Sequence, residues 1–186
     1  MQLKSHLSLA VHIVNSLNDK KLKLFQKAFL FGCVSPDINV LTYLKGSVGH
    51  KPLKGHDYKS SYGYISKKLR SLQRKSKLNI LDFYEIGKVV HYIADDFTYP
   101  HNEEFSENLS EHCRYEKDLH PHFETYLSER NLNEISLDED AVETDPLSYL
   151  DDSHKKYSQE DPSYSRDSQY ATKVSEKVVS KLLSAS

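Results

Sequence analysis

Two His-x-x-x-carboxylate pairs, His91/Asp95 and His112/Glu116, stand on either side of a Pro-His dipeptide, Pro100 and His101. Four-residue spacing sets the members of each pair one turn apart on the same face of a helix. Pro100 ends the first of those helices, since it has no amide hydrogen and clashes with the preceding turn. His101 therefore lies where the chain has turned. Packing does not require this pattern, whereas a metal site built on helices does. The stretch from Val89 to Glu116 thus predicts an all-α, single-domain helical bundle with a metal cluster between its helices.

The remaining helices follow from apolar periodicity. Leu3, Leu7, Ala10, Ile13, Val14 and Leu17 share one arc of a helix over residues 3–17. His6 lies inside that arc and is expected to point inward; His12 lies opposite with Ser5, Ser8 and Ser16, and is expected to face water. Asn18 or Asp19 can cap a second helix that reaches about Phe31, with Gly32 as its stop. Ser35-Pro36-Asp37-Ile38 reads as a rigid loop presenting the Asp37 carboxylate. Residues 45–57 hold three of the six glycines and read as loop. His50 and His56 both lie in it, each preceded by glycine.

A helix from Asp57 to about Gln73 ends in the basic cluster of Lys67, Lys68, Arg70, Arg74, Lys75 and Lys77, which reads as a solvated helix end. Leu81 to Phe97 is the strongest helix, with Ile86, Val89, Val90, Ile93 and Phe97 as its core stripe. Gly87 lies one turn before His91 and costs about 1 kcal/mol against alanine, which makes close approach of a neighbouring helix or ligand the expectation there. A further helix over about Glu104 to Glu129 carries His112, Glu116, His120 and His122. Residues 131–165 are acidic, weakly periodic and read as loop-rich, and residues 166–185 as a closing amphipathic helix. The whole chain, 1–186, reads as one domain, with the motifs in residues 1–130.

Composition narrows the function. A formal charge of −2 argues against a dedicated nucleic-acid binder, so no stable nucleic-acid complex is expected. Ten histidines favour metal or proton chemistry. Cys33 and Cys113 fit no zinc-knuckle spacing and read as free thiols of a reducing compartment. Near the N-terminus, His6, His12 and several serines interrupt the apolar run. It has neither the unbroken apolar core nor the cleavage site of a secretory signal, and no run is long enough to cross a bilayer. The expectation is a cytoplasmic protein.

Imidazole and carboxylate suit zinc better than magnesium or calcium, which want more oxygen donors. Adding His101, His56, Asp37 and His6 to the two helical pairs gives more ligands than one zinc can use. The surplus predicts a cluster of two or three Zn2+ ions, suited to in-line displacement at phosphorus by a metal-bound water.

The order His6, Asp37, His56, His91-Tyr-Ile-Ala-Asp95, Pro100-His101, His112-Cys-Arg-Tyr-Glu116 resembles the bacterial zinc-dependent phospholipase C family, which is related to the fungal single-strand nucleases. The resemblance covers about residues 1–130. It implies one zinc held by Asp37, His56, His91 and Asp95, with Asp95 able to bridge to a neighbour. It implies a second, more open zinc held by His101, His112 and Glu116, and a third served by His6. Asp37 is also the implied general base. In secreted members an N-terminal tryptophan adds its amino group and carbonyl to the third zinc. This chain has no tryptophan, although Met1 lies five residues before His6.

The expected activity is therefore hydrolysis of a phosphodiester in a phospholipid or another phosphate ester, with any membrane contact transient. Two other readings stand beside it. One is a metal-binding module without turnover. The other is a single-strand nuclease, with the thirteen tyrosines standing in for tryptophan as stacking platforms.

Overall fold

A computed structural model describes residues 1–38, 58–102, 104–105, 108–130 and 145–185, the side chains of 58–60 excepted. His50 and His56 lie outside the described residues. Among the described residues every regular element is helical, and the fold is all-α. In chain order these are α1 (Leu3–Leu17), α2 (Lys20–Leu24), α3 (Gln26–Ile38), α4 (Tyr58–Gln73), α5 (Ile80–Asp96), a 3-10 turn (Tyr99–His101), α6 (Leu109–Glu129), α7 (Pro146–Tyr157) and α8 (Tyr164–Ser184).

α5 is the central helix. Asn79 starts it with a reciprocal cap, its side chain accepting from Leu81 and Asp82 amides while the Asp82 carboxylate accepts from the Asn79 amide. From Phe83 onward nearly every side chain is buried, because α1, α3, α4 and α8 all pack against it. Phe83, Ile86, Val89, Val90, Ile93 and Phe97 join Leu9, Ile13, Phe29 and the apolar face of α8 in one core. Each large side chain so buried contributes roughly 1.5–3 kcal/mol.

The closest contact is between α3 and α5, at Gly32 and Gly87. A Cβ at Gly87 would collide with the Phe29 carbonyl oxygen and lie 2.9 Å from both the Cys33 nitrogen and the Gly32 Cα; one at Gly32 would collide with the Tyr84 carbonyl oxygen. Gly32 is therefore a crossing point, and not the helix stop that its position suggests. α3 runs on through Pro36, which the sequence places in a loop. Pro36 has no amide to give the Gly32 carbonyl, and that oxygen instead accepts the Ser35 hydroxyl at 3.3 Å. Asp37 consequently rides on the last turn of a helix.

Other expectations also change. α2 and α3 are separate, because Phe25 closes α2 while its ring packs against Phe83. α6 begins at Leu109, where Asn108 and Glu111 form a reciprocal cap. Within the acidic stretch 131–165, residues 145–157 form an Asp145-capped helix start and α7, and α8 begins at Tyr164 under a Ser163 cap. His12 is buried on α1, since α6 and α8 together cover the Ser5–Leu9–His12 side and leave Leu3, Leu7 and Val11 outward. Its Nε2 lies 2.9 Å from Glu176, which also pairs with Arg130 at 2.6 Å. Cys33 is a buried free thiol and Cys113 an exposed one. No described helix is long and apolar enough to cross a membrane.

The glycine crossing makes a paired prediction. Gly87→Ala should lower unfolding free energy by about 1–3 kcal/mol through overpacking. Gly63→Ala on α4, where an added Cβ meets open space, should raise it by about 0.5–1 kcal/mol. Urea unfolding of both variants checks the contrast, and an unaffected Gly87→Ala protein would contradict the crossing.

Candidate metal centre

The crossing of α3 and α5 brings the Cys33 carbonyl oxygen within 2.9 Å of His91 Nδ1. A carbonyl can only accept, so Nδ1 carries the proton and Nε2 of the neutral ring keeps its lone pair. That nitrogen faces two carboxylates, Asp95 Oδ2 at 3.3 Å and Asp37 Oδ1 at 3.6 Å. It is buried, with no hydrogen-bond partner among the described residues. A lone pair opposite two anions is repulsive unless a proton or a metal cation stands between them. The carboxylates raise the His91 pKa despite the opposing effect of burial.

His6, from α1, stacks on His91 with ring centroids 4.0 Å apart. Its Nε2 is 3.2 Å from Asp95 Oδ1 and 4.0 Å from Asp37 Oδ2, and neither ring nitrogen has a hydrogen-bond partner among the described residues. Burial, aided by the neighbouring His91, pushes the His6 pKa down to about 3. The ring is thus held neutral, the form that binds metal.

A second group lies beyond Asp95. His101, delivered by the 3-10 turn, and His112, one turn from Glu116 on α6, both direct Nε2 at Glu116 Oε1, at 3.2 and 2.9 Å. His101 Nε2 also lies 3.7 Å from Asp95 Oδ1. Asp95 therefore stands between the groups, Oδ2 toward His91 and Oδ1 toward His6 and His101. Within each set, His6/His91/Asp95 and His101/His112/Glu116, one candidate ligand atom per residue lies within 4.8 Å of the others. The first set is fully buried; in the second, His112 and Glu116 are half-exposed.

The α-ammonium group of Met1 occupies the space between the sets. It contacts Asp95 Oδ1, lies 2.9 Å from Glu116 Oε1 and 3.4 Å from His101 Nε2. Burial opposes its charge, yet the two carboxylates raise its pKa to about 11. Burial likewise works against ionised Asp95 and Glu116, but this ammonium and the surrounding histidines hold both well below the usual range. Asp37, farther out, has its pKa raised by burial. A cation thus sits among the carboxylates here, and the orphaned imidazole nitrogens and mixed donor set fit zinc.

Of the residues that the sequence singles out, the structure brings together His6, Asp37, His91, Asp95, His101, His112 and Glu116. His120 stands apart, 2.9 Å from Ser5 Oγ, and His122 stacks on Tyr164. Periodicity gives no sign of the supports around the site. Asn102 reaches back to the Asp96 and Thr98 carbonyls at 3.1 and 2.8 Å, and His154 from α7 pairs with it at 3.0 Å. A family model for zinc-dependent phospholipase C matches residues 5–175. No curated protein and no solved structure matches the chain.

The depressed pKa of His6 has a sign that can be measured. Unfolded, a histidine takes its proton near pH 6.5; folded His6 refuses it down to about pH 3. Between those values the unfolded state binds more protons, so this group's contribution to stability falls as pH is lowered. An NMR titration of the metal-free protein should show the His6 ring neutral at pH 4.5. A midpoint near 6.5 would contradict the geometry.

Proposed function

The chain belongs to the zinc-dependent phospholipase C family, and from that footing we propose that it is a zinc-dependent phosphoric-ester hydrolase. His91, Asp95 and Asp37 would hold one zinc, with His56 as the fourth ligand that the family resemblance assigns. His101, His112 and Glu116 would hold a second, and His6 would serve a third. The observation that supports this most is the His91 ring. Its Nδ1 proton is committed to the Cys33 carbonyl, so its Nε2 lone pair is aimed between Asp37 and Asp95.

Bound zinc supplies Lewis acidity, polarising phosphoryl oxygens and making a coordinated water acidic near neutral pH. Asp37, partly exposed at the edge of the buried set, would act as the general base that takes the proton of the attacking water. Asp95 keeps its negative charge between the groups and balances the charge of the cations. His112 and Glu116, partly exposed, are where the substrate phosphate would approach the second group. That substrate is a phospholipid or another phosphodiester, and contact with a membrane surface is transient.

Metal analysis comes first. Protein purified without a histidine tag or chelator should carry roughly two or three zinc ions per chain. It should hydrolyse bis-(p-nitrophenyl) phosphate or p-nitrophenyl phosphorylcholine, and lose turnover on chelation. Tight metal binding without turnover under any loading would replace the enzyme with a metal-binding module. Absence of metal that added zinc does not restore would overturn both.

His91→Ala should weaken zinc binding by more than about 100-fold, beyond the loss that an outer-shell change produces. It should also lower the unfolding midpoint, since Asp37 and Asp95 then face each other without the imidazole. Full metal content with an unchanged midpoint would place the centre elsewhere.

A further inference from the structure

Tyr99 begins the turn that delivers His101. Thr98 precedes it, but its hydroxyl donates to the Asp95 carbonyl at 2.8 Å and does not cap the turn. The Tyr99 amide instead donates to Asp167 Oδ2, 2.8 Å away on α8. The same oxygen accepts the hydroxyl of Tyr115 at 2.9 Å, and Tyr115 immediately precedes Glu116 on α6. One oxygen atom thus serves as common acceptor for both segments that carry the second ligand group.

The other oxygen fixes the carboxylate itself. Oδ1 accepts the Tyr157 hydroxyl at 2.8 Å and Arg166 Nε and Nη2 at 3.2 and 3.1 Å. Arg166 is held in turn by the Glu160 carbonyl at 2.6 Å and lies 3.9 Å from the Tyr157 ring centroid. Asp167, Tyr157 and Arg166 are all buried. Rotation of the carboxylate would break bonds on both sides at once.

We propose that Asp167 is a positioning residue for the second metal: it touches no ligand, but sets His101 and Glu116 relative to one another through the Tyr99 amide and the Tyr115 hydroxyl. This rests on the proposed zinc reading of the site. A core carboxylate with a purely structural task would affect stability and all metals alike. Asp167 is connected to one ligand group only, because His91, His6 and Asp37 are placed by α1, α3 and α5. Outer partners that orient ligands typically govern 10–100-fold in metal affinity, and a shared acceptor transmits any shift to two ligands together.

Asp167→Asn and Tyr115→Phe test this in the full chain. In Asp167→Asn the amide oxygen must face Arg166, so its NH2 group meets the Tyr99 amide, donor against donor, and can keep a bond to Tyr115 only by reversing it, the hydroxyl oxygen then accepting. Zinc titration of metal-free protein against a chelating dye should show one class of site weakened about 10–100-fold and the other unchanged. Tyr115→Phe removes a single hydrogen bond and should weaken the same class about tenfold, with its metal-free unfolding midpoint near that of wild type. Cobalt(II) absorption of the weakened site should change in both variants. Without metal, exchange of the Tyr99 amide should quicken in Asp167→Asn and stay slow in Tyr115→Phe.

If Asp167→Asn does not fold, Tyr115→Phe decides. Wild-type affinity and an unchanged cobalt spectrum in the folded variants would overturn the positioning role and leave the zinc reading standing. Equal weakening of both classes would do the same, assigning Asp167 to general stability. A wild-type protein that takes up no zinc would remove both proposals together.

Discussion

Most of this molecule depends on the approach of α3 to α5. Two glycines, Gly32 and Gly87, let the helix backbones meet at a distance that a single extra carbon on either would prevent. That approach lets the Cys33 carbonyl reach His91 Nδ1, which fixes the tautomer of the imidazole and turns its free nitrogen toward Asp37 and Asp95. Beyond Cys33, Ser35 relieves the carbonyl that Pro36 cannot serve, so α3 continues far enough to bring Asp37 to the same place. Backbone packing, tautomer and ligand direction are thus one event. The tightness that costs the fold its tolerance at Gly87 gives the site its rigidity.

Asp95 carries the opposite burden. A carboxylate taken out of water is strongly disfavoured unless charge and hydrogen bonding compensate. Its neighbours include Glu116 and Asp37, which repel it, and imidazoles whose protonation burial resists. A core chosen for stability alone would not place these groups together, and such local conflict is a mark of functional sites. Positive charge resolves the conflict. The Met1 ammonium supplies it in this structure, and on the proposed function zinc supplies more of it.

Several elements were legible in the sequence for a plain reason. α1, α4 and α5 carry apolar residues at helical spacing, and the two His-x-x-x-carboxylate pairs fall on helices that form as the spacing requires. α5 ends at Asp96, and Pro100 lies within the 3-10 turn that follows and delivers His101. Failures occurred where distant packing decides. Gly32 has the local character of a helix stop, and only the approach of α5 makes it a crossing. His12 lies on the polar arc of α1, but α6 and α8 cover that arc and α8 offers Glu176. α7 is polar on most of its surface, so its few large buried side chains, Leu147, Leu150 and Tyr157, carry little periodic signal. Asp167 could not have been singled out at all. Its partners come from three other parts of the chain, and all three are among thirteen tyrosines that look alike in sequence.

The two ligand groups are supported differently, and the difference bears on chemistry. The first is enclosed by three helices, with His6, His91 and Asp95 buried and Asp37 partly exposed at its edge. The second rests on a three-residue turn and one face of α6, with His112 and Glu116 partly exposed. An enclosed group suits a metal whose task is to hold charge in place, whereas an open one leaves coordination positions for a substrate oxygen. Openness carries a penalty, because side chains at the rim have fewer neighbours to keep them in position. The second group therefore depends on long-range hydrogen bonds into α8 where the first depends on close packing. Asp95 stands where the two groups meet, Oδ2 toward His91 and Oδ1 toward both His6 and His101.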